Sequence, residues 1–68
     1  MSVTGKFVQR IEDDRPCPLT GRVLGREDED RVTVLWGDNA YTWQPGDDFP
    51  AEARVEWMDE LTPARANA

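Results

Sequence analysis

The sequence contains no histidine and only one cysteine, Cys17. Without histidine, His-based catalytic triads and His metal sites are excluded. Cys17 has no partner for an intramolecular disulfide, so the stapled scaffold of small secreted domains is excluded and a reducing, cytoplasmic setting is expected. It lies between Pro16 and Pro18 with no base to activate it, which reads as a tolerated thiol rather than a nucleophile. There is no glycine-rich phosphate loop, and no apolar run approaches the roughly 20 residues of a membrane span. The N-terminus also lacks a charged region followed by an apolar stretch, so neither export nor membrane contact is expected. No enzyme, cofactor or metal is expected on this basis.

At 68 residues the chain has room for a single domain. Hydrophobic residues at 38% and charged residues at 32% describe a thinly cored globular domain rather than a disordered segment. Three Trp, two Phe and one Tyr are the obvious core material, since each buried aromatic removes roughly 150 to 250 Å² from water. The net charge of -6 and pI near 4.4 disfavour general binding to a phosphate backbone, which depends on Lys and Arg displacing counterions. A protein partner, or self-association, is favoured over nucleic acid.

Alternation of apolar and polar residues predicts five short strands. Lys6 to Ile11 places Phe7 and Ile11 on one side and Lys6, Val8 and Arg10 on the other. The stretch from Glu12 to Pro18, with two prolines and three carboxylates, reads as a loop. Leu19 to Glu27 sets Val23 between Gly21 and Gly25, which suggests close backbone approach or strong coiling. After the acidic turn Glu27 to Asp30, Arg31 to Trp36 is the most β-prone segment, with Val32, Val34 and Trp36 alternating. Gly37-Asp38-Asn39 tolerates positive φ, so the alternating Ala40 to Gln44 is read as the return strand of a hairpin. Pro45 to Pro50 is a break, and Ala53 to Trp57 is the last strand. Order is expected over residues 5–61, with 1–4 and 62–68 as tails.

Five short strands in a chain too short for a sandwich favour a small barrel, which removes exposed edges. Val32 to Asn39, Tyr41 and Pro45-Gly46-Asp47-Asp48-Phe49 resemble the hairpin and exit turn of SH3-like barrels. The resemblance is nearest to Mind-bomb type repeats and to a small actinobacterial family of uncharacterised SH3-like proteins. Leu19-Thr20-Gly21-Arg22-Val23 also resembles the Gly-x-Val opening of KOW-class barrels. The turn here is Gly-Asp where the family has Asp-Gly. The resemblance covers about half the chain and implies an all-β, five-stranded SH3-like barrel of the Tudor and KOW kind. Seven of the eight basic residues are Arg, a bias of GC-rich coding, which points to an actinobacterial or phage source.

Two surfaces are candidate sites. If Phe7, Val23, Val34 and Trp36 point inward, Val8, Leu24 and Leu35 form an apolar centre ringed by cations that include Arg22 and Arg26, a composition expected of a protein interface. The plainer alternative is that both sides of bent strands are buried. Tyr41, Trp43 and Phe49, with Asp38 or Asp47, could instead hold a cation on aromatic faces, whereas Trp36 and Trp57 are read as core. The acidic clusters lack the ligand spacing and central glycine of a calcium loop and read as solvated turns. The leading reading is a non-enzymatic protein-interaction module with a preformed surface. A nucleic-acid or ribonucleoprotein barrel using the Arg-rich face, and an acidic DNA mimic, are the alternatives.

Overall fold

The computed structural model describes residues 3–12 and 15–64, and for residues 15–18 the backbone alone. The described residues form one antiparallel sheet of five strands: β1 (Phe7–Glu12), β2 (Arg15–Arg26), β3 (Arg31–Trp36), β4 (Arg54–Trp57) and β5 (Leu61–Pro63). The order is β4-β3-β2-β1-β5, so the sheet is open, with β4 and β5 as its edges. Two 3₁₀ turns, η1 (Asp38–Tyr41) and η2 (Met58–Glu60), interrupt the chain after β3 and after β4.

β3 is buried on both faces, as its unbroken Val-Thr-Val-Leu run requires. Val32 and Val34 join Val23 in one cluster, against which Val3, Val8, Trp36, Met58 and Leu61 pack. Leu35 joins Leu24 and Trp43 in a second cluster backed by Ala53 on the opposite face. A bulge in β2 serves both: Val23 pairs with Val34 and Gly25 with Thr33, leaving Leu24 as the extra residue.

The aromatic alternation of Ala40 to Gln44 does not make a strand. Gly37, at φ 92, turns the chain, and Ala40 then donates its N–H to Gly37 while Thr42 and Trp43 donate to the Asn39 carbonyl. The segment folds back over the sheet and drives Trp43 into the second cluster. The fifth strand comes instead from the C-terminal stretch, where Thr62 pairs with Gln9 and Ala64 donates to the Phe7 carbonyl at 2.9 Å. Order therefore reaches residue 64 rather than 61, and Val3 belongs to the core packing rather than to a tail.

The expected Glu12 to Pro18 loop is also shorter, because Glu12 pairs with Arg15 and Ile11 with Pro16. Pro16 and Pro18 are tolerated there because β2 meets β3 only from Gly21 onward, so their segment has a single neighbouring strand. Asp13, Asp14 and the side chain of Cys17 lie outside the described residues.

The acidic β2–β3 turn is closed by its own second carboxylate. Asp28 Oδ1 accepts from the Asp30 and Arg31 backbone amides, and Oδ2 accepts from the Arg31 guanidinium at 2.8 and 2.5 Å. The Arg31 hydrogen bond, followed by the Asp30 amide, holds the Asp28 carboxyl below the ordinary aspartate range. A depressed carboxylate contributes stability above its unfolded pKa and loses it as pH falls through the folded value. Asp28→Asn, which keeps an amide-accepting oxygen but removes the charge, is thus expected to melt below wild type at pH 7. The difference should shrink towards about pH 2, below the ordinary aspartate range. An equal difference at both pH values would show that the charge plays no part.

Candidate interaction surface

The two surfaces anticipated from sequence are taken apart by the fold. Leu24 and Leu35 are 2% and 1% exposed, so the apolar centre of the proposed face is the second core cluster. The β3–β4 connection covers that side of the sheet, which strand parity alone would leave in solvent. Val8 is half-buried against the first cluster, on the other side of the sheet. Arg22 is not a rim charge. Its Nε donates to the Gly5 carbonyl at 2.9 Å, its Nη1 donates to the Trp43 carbonyl, and its guanidinium lies 4.9 Å from the Phe7 ring centre and 5.8 Å from that of Trp43. It ties the N-terminal segment to the covering loop. Arg26 stays exposed and donates to the Glu29 carbonyl.

The aromatic trio is divided in the same way. Trp43 is buried, donates its Nε1–H to the Asp48 carbonyl at 3.1 Å and meets Phe49 edge-on. Tyr41 stacks on Phe7 at 5.4 Å, with its other face in solvent. Phe49 lies over Gly25, where a Cβ would come within 2.9 Å of its ring. Asp47 caps its own turn through the Gln44 amide. Trp43 and Asp47 are thus engaged within the fold, while Tyr41 and Phe49 stay 48% and 54% exposed, each against a different neighbour.

A different surface is open, at the β4 edge. In an antiparallel ladder, hydrogen-bonded and non-hydrogen-bonded pairs alternate. Met58 donates to the Asp30 carbonyl at 2.8 Å, one step beyond the Arg31–Trp57 pair, so Glu56 and Arg54 are the residues bonded to β3. Val55 and Trp57 consequently turn their backbone groups away from the sheet. The Trp57 carbonyl begins η2, which leaves the Val55 N–H and C=O and the Trp57 N–H along the free edge. Their side chains, two apart on one face, are 47% and 51% exposed. On the other face Glu56 is buried and accepts from Trp36 Nε1 at 3.0 Å, which anchors the strand.

Trp57, expected in the core, is thus a surface residue, because it sits on an edge strand whose outer face the covering loop does not reach. The Arg31 guanidinium lies 5.4 Å from its ring centre. Beside it, at the β2–β3 turn, a recess of about 360 Å³ is lined by Glu29, Asp30, Trp57, Met58 and Asp59. A second hollow of about 240 Å³, between β1, β5 and η2, is mainly apolar and is the unfilled end of the first core cluster. Among the described residues no helix is long and apolar enough to cross a membrane.

Comparison with known proteins gives no match: no family model, no curated protein and no solved structure is significantly similar to this chain.

Proposed function

We propose that this chain is a small non-enzymatic protein-interaction module of SH3-like architecture that binds through the exposed β4 edge. The architecture is supported by the strand order, in which the first strand pairs with both the second and the last, and by the 3₁₀ turn between the last two strands. One observation carries the function: among the described residues β4 is an edge with no strand on its outer side, and it presents two half-exposed apolar side chains, Val55 and Trp57, beside outward-turned backbone groups. Natural sheets ordinarily blunt such edges with charge, proline or a covering loop, because an exposed edge recruits other strands. Here the charged neighbours Arg54 and Glu56 project to the opposite face.

The test compares proteins captured from cells that express the chain by wild type, by Val55→Lys with Trp57→Lys, and by Tyr41→Ser. The lysine pair should lose the specific partners while its melt stays close to wild type, since substitutions at exposed sites shift stability by only about 0.5 kcal/mol. Tyr41→Ser should retain them. Partners kept by the lysine pair would place the binding surface elsewhere.

A further inference from the structure

We propose that the segment recognised at this edge is an extended, basic strand of a partner protein, which adds to β4 as a sixth strand and lays a Lys or Arg into the recess beside Trp57. This rests on the reading of β4 as the binding surface and specifies what that surface selects. Three backbone groups along Val55 and Trp57, turned away from β3 and without a partner strand among the described residues, match the donor and acceptor pattern of an added strand, and such pairing supplies affinity independent of sequence. Selectivity comes from side chains. Val55 and Trp57 lie on one face, so the added strand places apolar residues opposite them, where aromatic and β-branched cross-strand pairs are favourable.

At the end of the edge, Glu29, Asp30 and Asp59 line the recess, and among the described residues none of the three forms an ion pair. Arg31 is engaged with Asp28 and stacked on Trp57, and Arg26 donates to the backbone carbonyl of Glu29. With three carboxylates and no cation among its lining residues, the recess carries net negative charge next to an aromatic ring, the surroundings that suit an incoming ammonium or guanidinium. A second copy of this chain is the poorer occupant, because each copy carries a net charge of -6 and the pairing would juxtapose two acidic recesses.

The probe is an acetylated, amidated peptide in which Val alternates with Thr and two Lys stand at one end, titrated into the ¹⁵N-labelled full chain. Saturable shifts of the Val55 and Trp57 amides are expected. In a hydrogen-bonded antiparallel pair the residue opposite Val55 shares its face, so N-methylation at the Val nitrogens should weaken binding at least tenfold. N-methylation at the Thr nitrogens should leave it nearly unchanged. Glu in place of the two Lys should also cost at least tenfold, and so should Glu29→Gln, Asp30→Asn and Asp59→Asn together.

Binding that ignores N-methylation, or that accepts Glu as readily as Lys, overturns the inference. Absence of any shift, together with concentration-dependent dimerisation in sedimentation, would also overturn it, in favour of a second copy. In each of those cases the lysine pair at positions 55 and 57 would still lose the native partner if the β4 reading holds. Retention of that partner by the lysine pair marks failure of the reading itself.

Discussion

Replacing Leu24 and Leu35 together by Asp is expected to leave the chain unfolded, with no cooperative melt and a disordered far-ultraviolet circular dichroism spectrum. Both side chains are buried against Trp43 in the second core cluster. Truncating a buried Leu costs about 2 to 5 kcal/mol even without adding charge. An unpaired carboxylate placed there costs more, because burial strips its hydration with nothing to replace it. A domain of this size has a total stability on the order of 5 kcal/mol. Leu19→Asp serves as the control, since Leu19 is half-exposed, and it should melt as wild type. A double variant that still melts cooperatively near the wild-type temperature would mean that the β3–β4 connection does not cover this face.

Gly21→Ala is expected to produce the next largest effect. A Cβ at Gly21 would lie 2.5 Å from Trp36 Cε3 and 2.6 Å from Val34 Cγ1, so a ring and a core methyl would have to move. Neither is the free end of a flexible chain. Overpacking of this kind costs about 1 to 3 kcal/mol, and in so small a domain each kcal/mol lowers Tm by roughly 4 to 8 °C. The variant should therefore melt about 10 °C lower, with weakened near-ultraviolet dichroism as Trp36 leaves its place over β2. Combining Gly21→Ala with Trp36→Leu should recover part of the loss relative to Trp36→Leu alone. A Gly21→Ala melt indistinguishable from wild type would show that Trp36 does not pack on this strand.

The place of glycine in β2 was visible in the sequence, because Gly21 and Gly25 flank a core valine on a strand that needs room for large neighbours. Which neighbours fill that room was not visible. Trp36 comes from the adjacent strand, but Phe49 arrives from a connection that the sequence presents only as a break rich in turn residues. The same connection explains the error at Leu24 and Leu35. Strand parity separates Val23 and Val34 from Leu24 and Leu35 correctly but reverses Phe7 and Val8, and whether a face meets solvent depends on what lies above it; a loop folding back over a sheet leaves no periodic trace.

Ala40 to Gln44 shows the converse. Its alternation has the period of a strand, but the Trp43 side chain gains more by entering the core than the backbone gains by extending a hairpin, and Gly37 allows the turn that takes it there. Leu61 to Pro63 has too few residues to show any period, and it becomes a strand because β1 has a free side for it to pair with.

Composition and alternation thus determined a small all-β domain without the residues of a His-based triad, with β3 as its most strongly β-prone strand and a net acidic charge, since these depend on local backbone preference and on charges that can be counted. Tertiary structure alone decided which strands became edges, and with them the fate of Trp57 and Val55. An exposed tryptophan and a buried one have the same local sequence signature. The difference lies in whether another part of the chain, distant in sequence, arrives to cover the ring.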